Sequence, residues 1–272
     1  MSASRENAPL VELVAELRWN PSVEPSEQMT GGPSLTFIAA HSSAPESFFM
    51  RFAGLAHSLG HTDQERVVPL GFPMLAHQTV HRFKRQEEGS VRSLYQVGPG
   101  IFSANAVPPY ESWHKKFEQV VHQGVEALLK SRPEAEADAI FTGLSLRYID
   151  AFNASHTGGR DIESFLKDVF KISVDVPHAW SQHLYPESKI KPMIQLQIPM
   201  KDGFVMQVGI GEGIVNSQPA ILLDTSVSAT LPVPAKLDAV MTSFNLAHDA
   251  IAATFEELIQ PIEHLIPKKP EV

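Results

Sequence analysis

The chain of 272 residues contains no cysteine. That absence excludes disulfides, thiolate zinc sites, iron–sulfur clusters and cysteine nucleophiles, and it fits a reducing, cytoplasmic setting. Charged residues are sparse at 19%, and they lean acidic: 22 Lys and Arg stand against 31 Asp and Glu, a formal net charge of -9. A protein that coats nucleic acid carries a basic surplus to replace counterions, so general nucleic-acid binding is disfavoured. No apolar run approaches the ~18 residues needed to cross a bilayer, so no membrane role is expected. The opening MSASRENAPLVEL lacks a basic stretch followed by a long apolar one and does not read as a secretory signal. Catalytic signatures are missing too: there is no GxSxG elbow, no HExxH and no Gly-Lys-Ser/Thr after a glycine loop. With 43% apolar residues the chain still has ample material for a packed core, and it reads as soluble and globular.

What is present is a repeated plan. Residues 96–105, QVGPGIFSAN, and residues 207–216, QVGIGEGIVN, share Gln, Val, two Gly and Asn in order. Upstream, Leu17-Arg18-Trp19 matches Leu146-Arg147-Tyr148. Two similar units are therefore expected, 1–133 and 134–272, within one compact body. Each reads as a strand, a helix, three strands and a long helix. Antiparallel strands backed by helices make the expected fold α+β, with the two units packed as a pseudo-dimer.

Periodicity places the elements. Leu13, Ala15, Leu17 and Trp19 fall on one face of an opening strand, with Glu12, Val14, Glu16 and Arg18 on the other. Residues 20–45, rich in Pro, Gly and Ser, read as loop. Phe48, Phe49, Phe52, Leu55 and Leu59 space as a helix that Gly60 stops. Strands are expected over 77–84, 94–98 and 101–106, with Pro99-Gly100 as a tight turn. Ser112 is positioned to cap a helix running to about residue 130. In the second unit, strands are expected over 139–152, 193–199, 204–210 and 214–227, the last broken near Pro219. Lys201-Asp202-Gly203 reads as a hairpin turn. Ile162, Phe165, Leu166 and Val169 mark a short helix, and Leu237, Val240, Phe244, Ala247, Ile251 and Phe255 mark a final one over 235–259.

Few residues suggest chemistry. The run Gly209-Ile210-Gly211-Glu212-Gly213 resembles a phosphate loop, but more strand follows it where such a loop needs a helix. Gly98, Gly100, Gly209 and Gly211 read instead as structural turn or bulge positions that need positive φ. His57 and His61 are four apart, but Gly60 separates them. His77 and His81 would lie about 13 Å apart on a strand, too far for one metal. The remaining histidines are scattered, so no metal and no cofactor is expected. Arg82, Lys84, Arg85 and Arg92, with Glu87 and Glu88, read as a solvated hairpin of mixed charge. Arg18 and Arg147 occupy matched positions on the two opening strands. They are the candidate ligand-binding residues, able to hold an anion by the guanidinium fork. The competing reading, favoured because such pairs are common in sheets, gives Arg18 to Glu12 or Glu16 and Arg147 to Asp150 or Asp224.

The order PLVELVAELRW, YQVGPGIFSANAVPPYESW, LSLRYIDAF, ILLDTSV and HDAIAATFEELI resembles an uncharacterised, sporadically distributed prokaryotic family. Its members open with a Pro-apolar-Glu-apolar-Glu-Ile-Arg-Phe strand and carry a central Arg-Tyr-Ile. The resemblance spans nearly the whole chain. Leu17-Arg18-Trp19 stands here for Ile-Arg-Phe, and Asp150 follows Arg147-Tyr148-Ile149 where Asn is usual. The motifs are structural in kind and imply no catalytic residue. A strand-rich unit closed by a long helix is also similar in topology to the protomer of SecB-type chaperones, an analogy of fold alone. The leading expectation is a non-enzymatic binding or scaffold protein, chaperone-like or antitoxin-like, whose partner is another polypeptide or a second copy. The alternative is an enzyme or sensor that takes a small anionic ligand between the units.

Overall fold

A computed structural model of the chain describes residues 5–22, 28–30, 36–38, 43–108, 112–185 and 187–269. The chain opens with strand β1 (Leu10–Arg18), then β2 (Gln28–Thr30), β3 (Thr36–Ile38), helix α1 (Ser43–Ser58), β4 (Asp63–Arg66) and β5 (Met74–Leu75). There follow β6 (His81–Glu87), β7 (Ser90–Gly98), β8 (Ile101–Ala106), a π-turn (Trp113–Phe117) and α2 (Glu118–Ser131). Next come β9 (Gly143–Phe152), α3 (Ala154–Thr157), α4 (Ile162–Asp168) and α5 (His178–Ser181). The chain closes with β10 (Ile194–Pro199), β11 (Phe204–Val215), β12 (Gln218–Ala229) and α6 (Leu237–Ile259).

The fold is α+β. Nine antiparallel strands form one sheet in the order β10-β11-β12-β9-β1-β8-β7-β6-β4, and β2-β3-β5 make a separate small sheet. The opening strands β1 and β9 pair at its centre, with Val14 opposite Arg147. Outward from β1 lie β8, β7 and β6; outward from β9 lie β12, β11 and β10. The sheet is continuous across the expected 133/134 seam.

Alternation decides which face is covered. Leu13, Ala15, Leu17 and Trp19 are fully buried beneath the helices, while Arg18 is exposed on the other face. On α2, Val121, Val125 and Leu128 are buried, and the helix approaches so closely at Gly124 that an added Cβ would sit 2.6 Å from the Tyr95 ring. On α6, Val240, Phe244, Ala247 and Ile251 enter the same core. Tyr148 and Phe255 are half-buried against it. Ser112 caps the π-turn by accepting a hydrogen bond from the Lys115 backbone N–H.

Several sequence expectations need correction. The 20–45 segment contains β2 and β3; residues 23–27, 31–35 and 39–42 of it lie outside the described residues. The strand expected from residue 77 starts at His81, because His77 takes a left-handed φ of 62° and turns the chain. Strands β4 and β5 carry no sequence signal, since their runs are too short and, in β4, too charged to show a period. The glycine expectation fails at Gly209 and Gly211. Both lie inside β11, and neither has positive φ. That ladder continues to Val215 opposite Gln218, and the turn falls at Asn216 and Ser217, with φ of 50° and 62°. Gly100 does turn the chain, with φ +74°, whereas Gly98 also lacks positive φ and ends β7 against the Gln78 carbonyl, where a Cβ would lie only 1.7 Å away. Asn105 is consequently a buried β8 residue while Asn216 is a turn residue, so the ten-residue match holds structurally only over its first three positions.

Phe244 is fully enclosed. Replacing it with Ala is expected to cost about 3–5 kcal/mol in a urea titration with unchanged slope. A loss below about 1 kcal/mol would mean that this face of α6 is not packed as described.

Candidate functional site

The face of the sheet opposite the helices is polar, and it holds the two candidate arginines. Val14, Glu16 and Arg18 of β1, Ser145 and Arg147 of β9, Asp224, Ser226 and Ser228 of β12, Gln207 of β11 and Gln195 and Gln197 of β10 line an open trough of about 670 Å³. Each arginine is already engaged. Arg18 Nε donates to Glu16 at 2.7 Å. Arg147 makes a bidentate pair with Asp224, its Nε donating at 2.7 Å and its second nitrogen donating to the other carboxylate oxygen. The Asp224 hydrogen bond holds the Arg147 guanidinium further above its ordinary range. Among these four side chains the charges cancel, so an entering anion would have to displace a carboxylate. The partners are two of those expected from sequence. Asp150 instead faces the interior, 4% exposed, where burial pushes its carboxyl up to about 7.

The histidine pairs do not come together as pairs. His61 is buried, stacked on Tyr95 at 4.0 Å and bonded to the Ser93 hydroxyl at 3.1 Å, while His57 is exposed. His77 meets the Trp19 carbonyl at 3.0 Å, and His81 sits between Gln64 and Arg66. A different set converges at the π-turn. One ring nitrogen each of His114 and His248 and one Asp249 carboxylate oxygen lie within 4.8 Å of one another, the one such group among the described residues. Sequence spacing hides it, because the π-turn and α6 are over a hundred residues apart. His248 Nδ1 meets the Tyr148 hydroxyl at 2.8 Å, and its ring stacks on Trp113 at 5.1 Å. His114 Nδ1 meets Glu118 at 3.0 Å. Trp113 Nε1 donates to Asn245, and Asn245 donates to Glu118. Two imidazoles and a carboxylate are donors that divalent metals accept. Here the two imidazoles are held by Glu118 and Tyr148, and the bonds of Trp113 and Glu118 to Asn245 fasten the π-turn and the start of α2 to α6.

The third feature is the edge formed by β10. It pairs with β11 alone and ends the sheet. Its apolar residues Ile194, Leu196 and Ile198 stand beside Ile210, Val208 and Met206, whose side chains join the core on the α6 side. Yet Leu196 and Ile198 are 42% and 43% exposed. Met193 just before them is 88% exposed. An open hollow of about 940 Å³ begins at Met193 and continues past Phe152, Ile162, Ile214 and Ile221. The opposite edge is different: β4 has four residues, of which Asp63, Glu65 and Arg66 are charged. Among the described residues no helix is long and apolar enough to cross a membrane. Comparison with family models, curated proteins and solved structures finds no match to this chain.

Burial sets a pH response. His61, His81 and His248 are each held down to about 4, first by desolvation, against 6.5 when exposed. Below pH 6.5 the unfolded chain takes up protons that the folded chain refuses, so this contribution is complete above 6.5 and is lost as pH falls toward 4. Asp150 acts oppositely: its raised value makes stability decline as pH rises from about 4 to 7. Three imidazoles outweigh one carboxyl. The urea midpoint is expected to drop on acidification from pH 7 to pH 4.5, and Asp150→Asn is expected to raise the pH 7 midpoint and steepen the drop. A flat profile would show that these imidazoles are not kept neutral.

Proposed function

We propose that the protein is a non-enzymatic, polypeptide-binding scaffold that takes an extended segment of a partner chain onto β10. The observation that carries this reading is the contrast between the two sheet edges. An edge strand offers unpaired N–H and C=O groups to any extended chain, and proteins ordinarily protect such edges with charge or brevity. β4 is protected in both ways, whereas β10 has no charged residue and exposes Leu196 and Ile198 beside its free backbone. Strand addition draws affinity from main-chain hydrogen bonds and selectivity from alternate side chains, which are the two things that β10 presents.

The rival, a sensor or enzyme for a small anion, rests on Arg18 and Arg147. Both line one trough, but both guanidinium groups are paired with carboxylates, so this reading ranks second.

A benzophenone side chain placed at position 196 or at position 64 of β4, in cells, distinguishes edge binding from chance collision. A dominant polypeptide adduct is expected at 196 and none at 64. No adduct at 196, or equal adducts at both, overturns the proposal.

A further inference from the structure

The sequence of β10 says more than that the edge is open. Ile194-Gln195-Leu196-Gln197-Ile198 reads the same in both directions. An antiparallel pair of identical strands about a two-fold axis sets residue i against its mirror image, so a palindromic strand is matched to itself. We infer that the partner that adds to β10 is a second copy of this chain, paired β10 to β10 about an axis at Leu196. This rests on the strand-addition reading of the edge.

The backbone is oriented for it. The Met200 N–H donates to the Phe204 carbonyl at 2.9 Å, so Met200 turns its polar groups toward β11. Alternation then turns Ile198, Leu196 and Ile194 the same way and leaves Gln195, Gln197 and Pro199 with theirs pointing outward. Pro199 has no N–H, and it sits where that loss does not touch the β10–β11 ladder. With the axis at Leu196, Gln195 of each copy exchanges both backbone hydrogen bonds with Gln197 of the other. Met193 can donate further to the opposing Pro199 carbonyl. An axis one residue later would oppose Gln195 to Pro199, which has no donor to return.

Side chains and charge fit the same register. Residues directly opposite share a face, so Leu196 meets Leu196 and Ile194 meets Ile198 on the α6 side, covering the side chains left half-exposed. Gln195 meets Gln197 on the trough side and prolongs its amide-lined floor. A charge at the axis would face its own like, and one at 194 or 198 would face an isoleucine; residues 193–200 carry none. Lys191 and Lys201, which the register would bring nearest each other, lie outside the strand, and Lys191 is already paired with Glu212 at 2.7 Å.

The absence of native cysteine makes the register directly readable. Leu196→Cys places one thiol per chain at the axis, in a non-hydrogen-bonded pair whose Cα atoms lie about 4.5 Å apart, within disulfide reach. The expected result is a covalent dimer from Leu196→Cys under mild oxidation. Ile194→Cys alone is expected to give none, since its thiols would stand about 13 Å apart, and a mixture of Ile194→Cys and Ile198→Cys is expected to cross-link. By sedimentation equilibrium the native chain should have twice its 29.9 kDa mass, and Leu196→Lys, which sets like charges face to face, should weaken association about tenfold or more while leaving the fold intact by circular dichroism. A native chain that sediments as a monomer and a Leu196→Cys chain that does not cross-link overturn the second copy as partner. If the benzophenone at 196 still captures a different polypeptide, strand addition stands without self-pairing; if it captures nothing, both readings fall.

Discussion

The pairing of β1 with β9 is the constraint on which the rest of the structure depends. These strands lie more than a hundred residues apart, yet their ladder forms the middle of the sheet and every other strand of it is added outward. The ladder fixes which side of each strand faces the helices, because a shift of one residue would exchange Leu13, Ala15, Leu17 and Trp19 for Glu12, Val14, Glu16 and Arg18. Trp19, just past β1, ties the join down. Its indole nitrogen donates to the buried carboxylate of Glu136, and the Arg132 guanidinium lies 4.9 Å above its ring. The connection between α2 and β9 is thus anchored to the strand that β9 must find.

The two faces of the sheet follow from that alignment. One is sealed by α1, α2 and α6 over a core of aromatic and branched side chains. The other, among the described residues, has no helix over it and carries short hydroxyls, amides and compensated ion pairs. Such a face needs no cover. The apolar side of β10 does, and it lies just beyond the reach of α6, which lies over β9 and β12. The demand for a partner is therefore confined to one strand, with the polar face as a solvated platform beside it.

Much of this fold was legible in the sequence, and the parts that were not share a cause. Strong periods, as in β1, α2 and α6, announced both their elements and their buried faces. The α+β class followed from them. The Arg147–Asp224 and Arg18–Glu16 pairs were among the partners that spacing allowed. The turn at Asn216-Ser217 was obscured by three nearby glycines. Glycine permits a turn without requiring one, while hydrogen bonding along β11 and β12 rewards a longer hairpin. The cluster of His114, His248 and Asp249 could not be read at all, since it brings a π-turn to a distant helix. The open edge of β10 was visible only once the strand order was known, although its palindrome was in the sequence throughout.

The central position of β9 also has a consequence for synthesis. When residues up to 131 have left the ribosome, β1, β6, β7, β8 and the first two helices are complete, but β1 has no neighbour on its β9 side. For as long as translation takes to deliver Gly143–Phe152, the nascent chain presents its own middle as an edge. Glu16 and Arg18, which in the finished protein line a solvated trough, stand with Glu12 along that edge as charged guards against pairing with a neighbouring nascent chain.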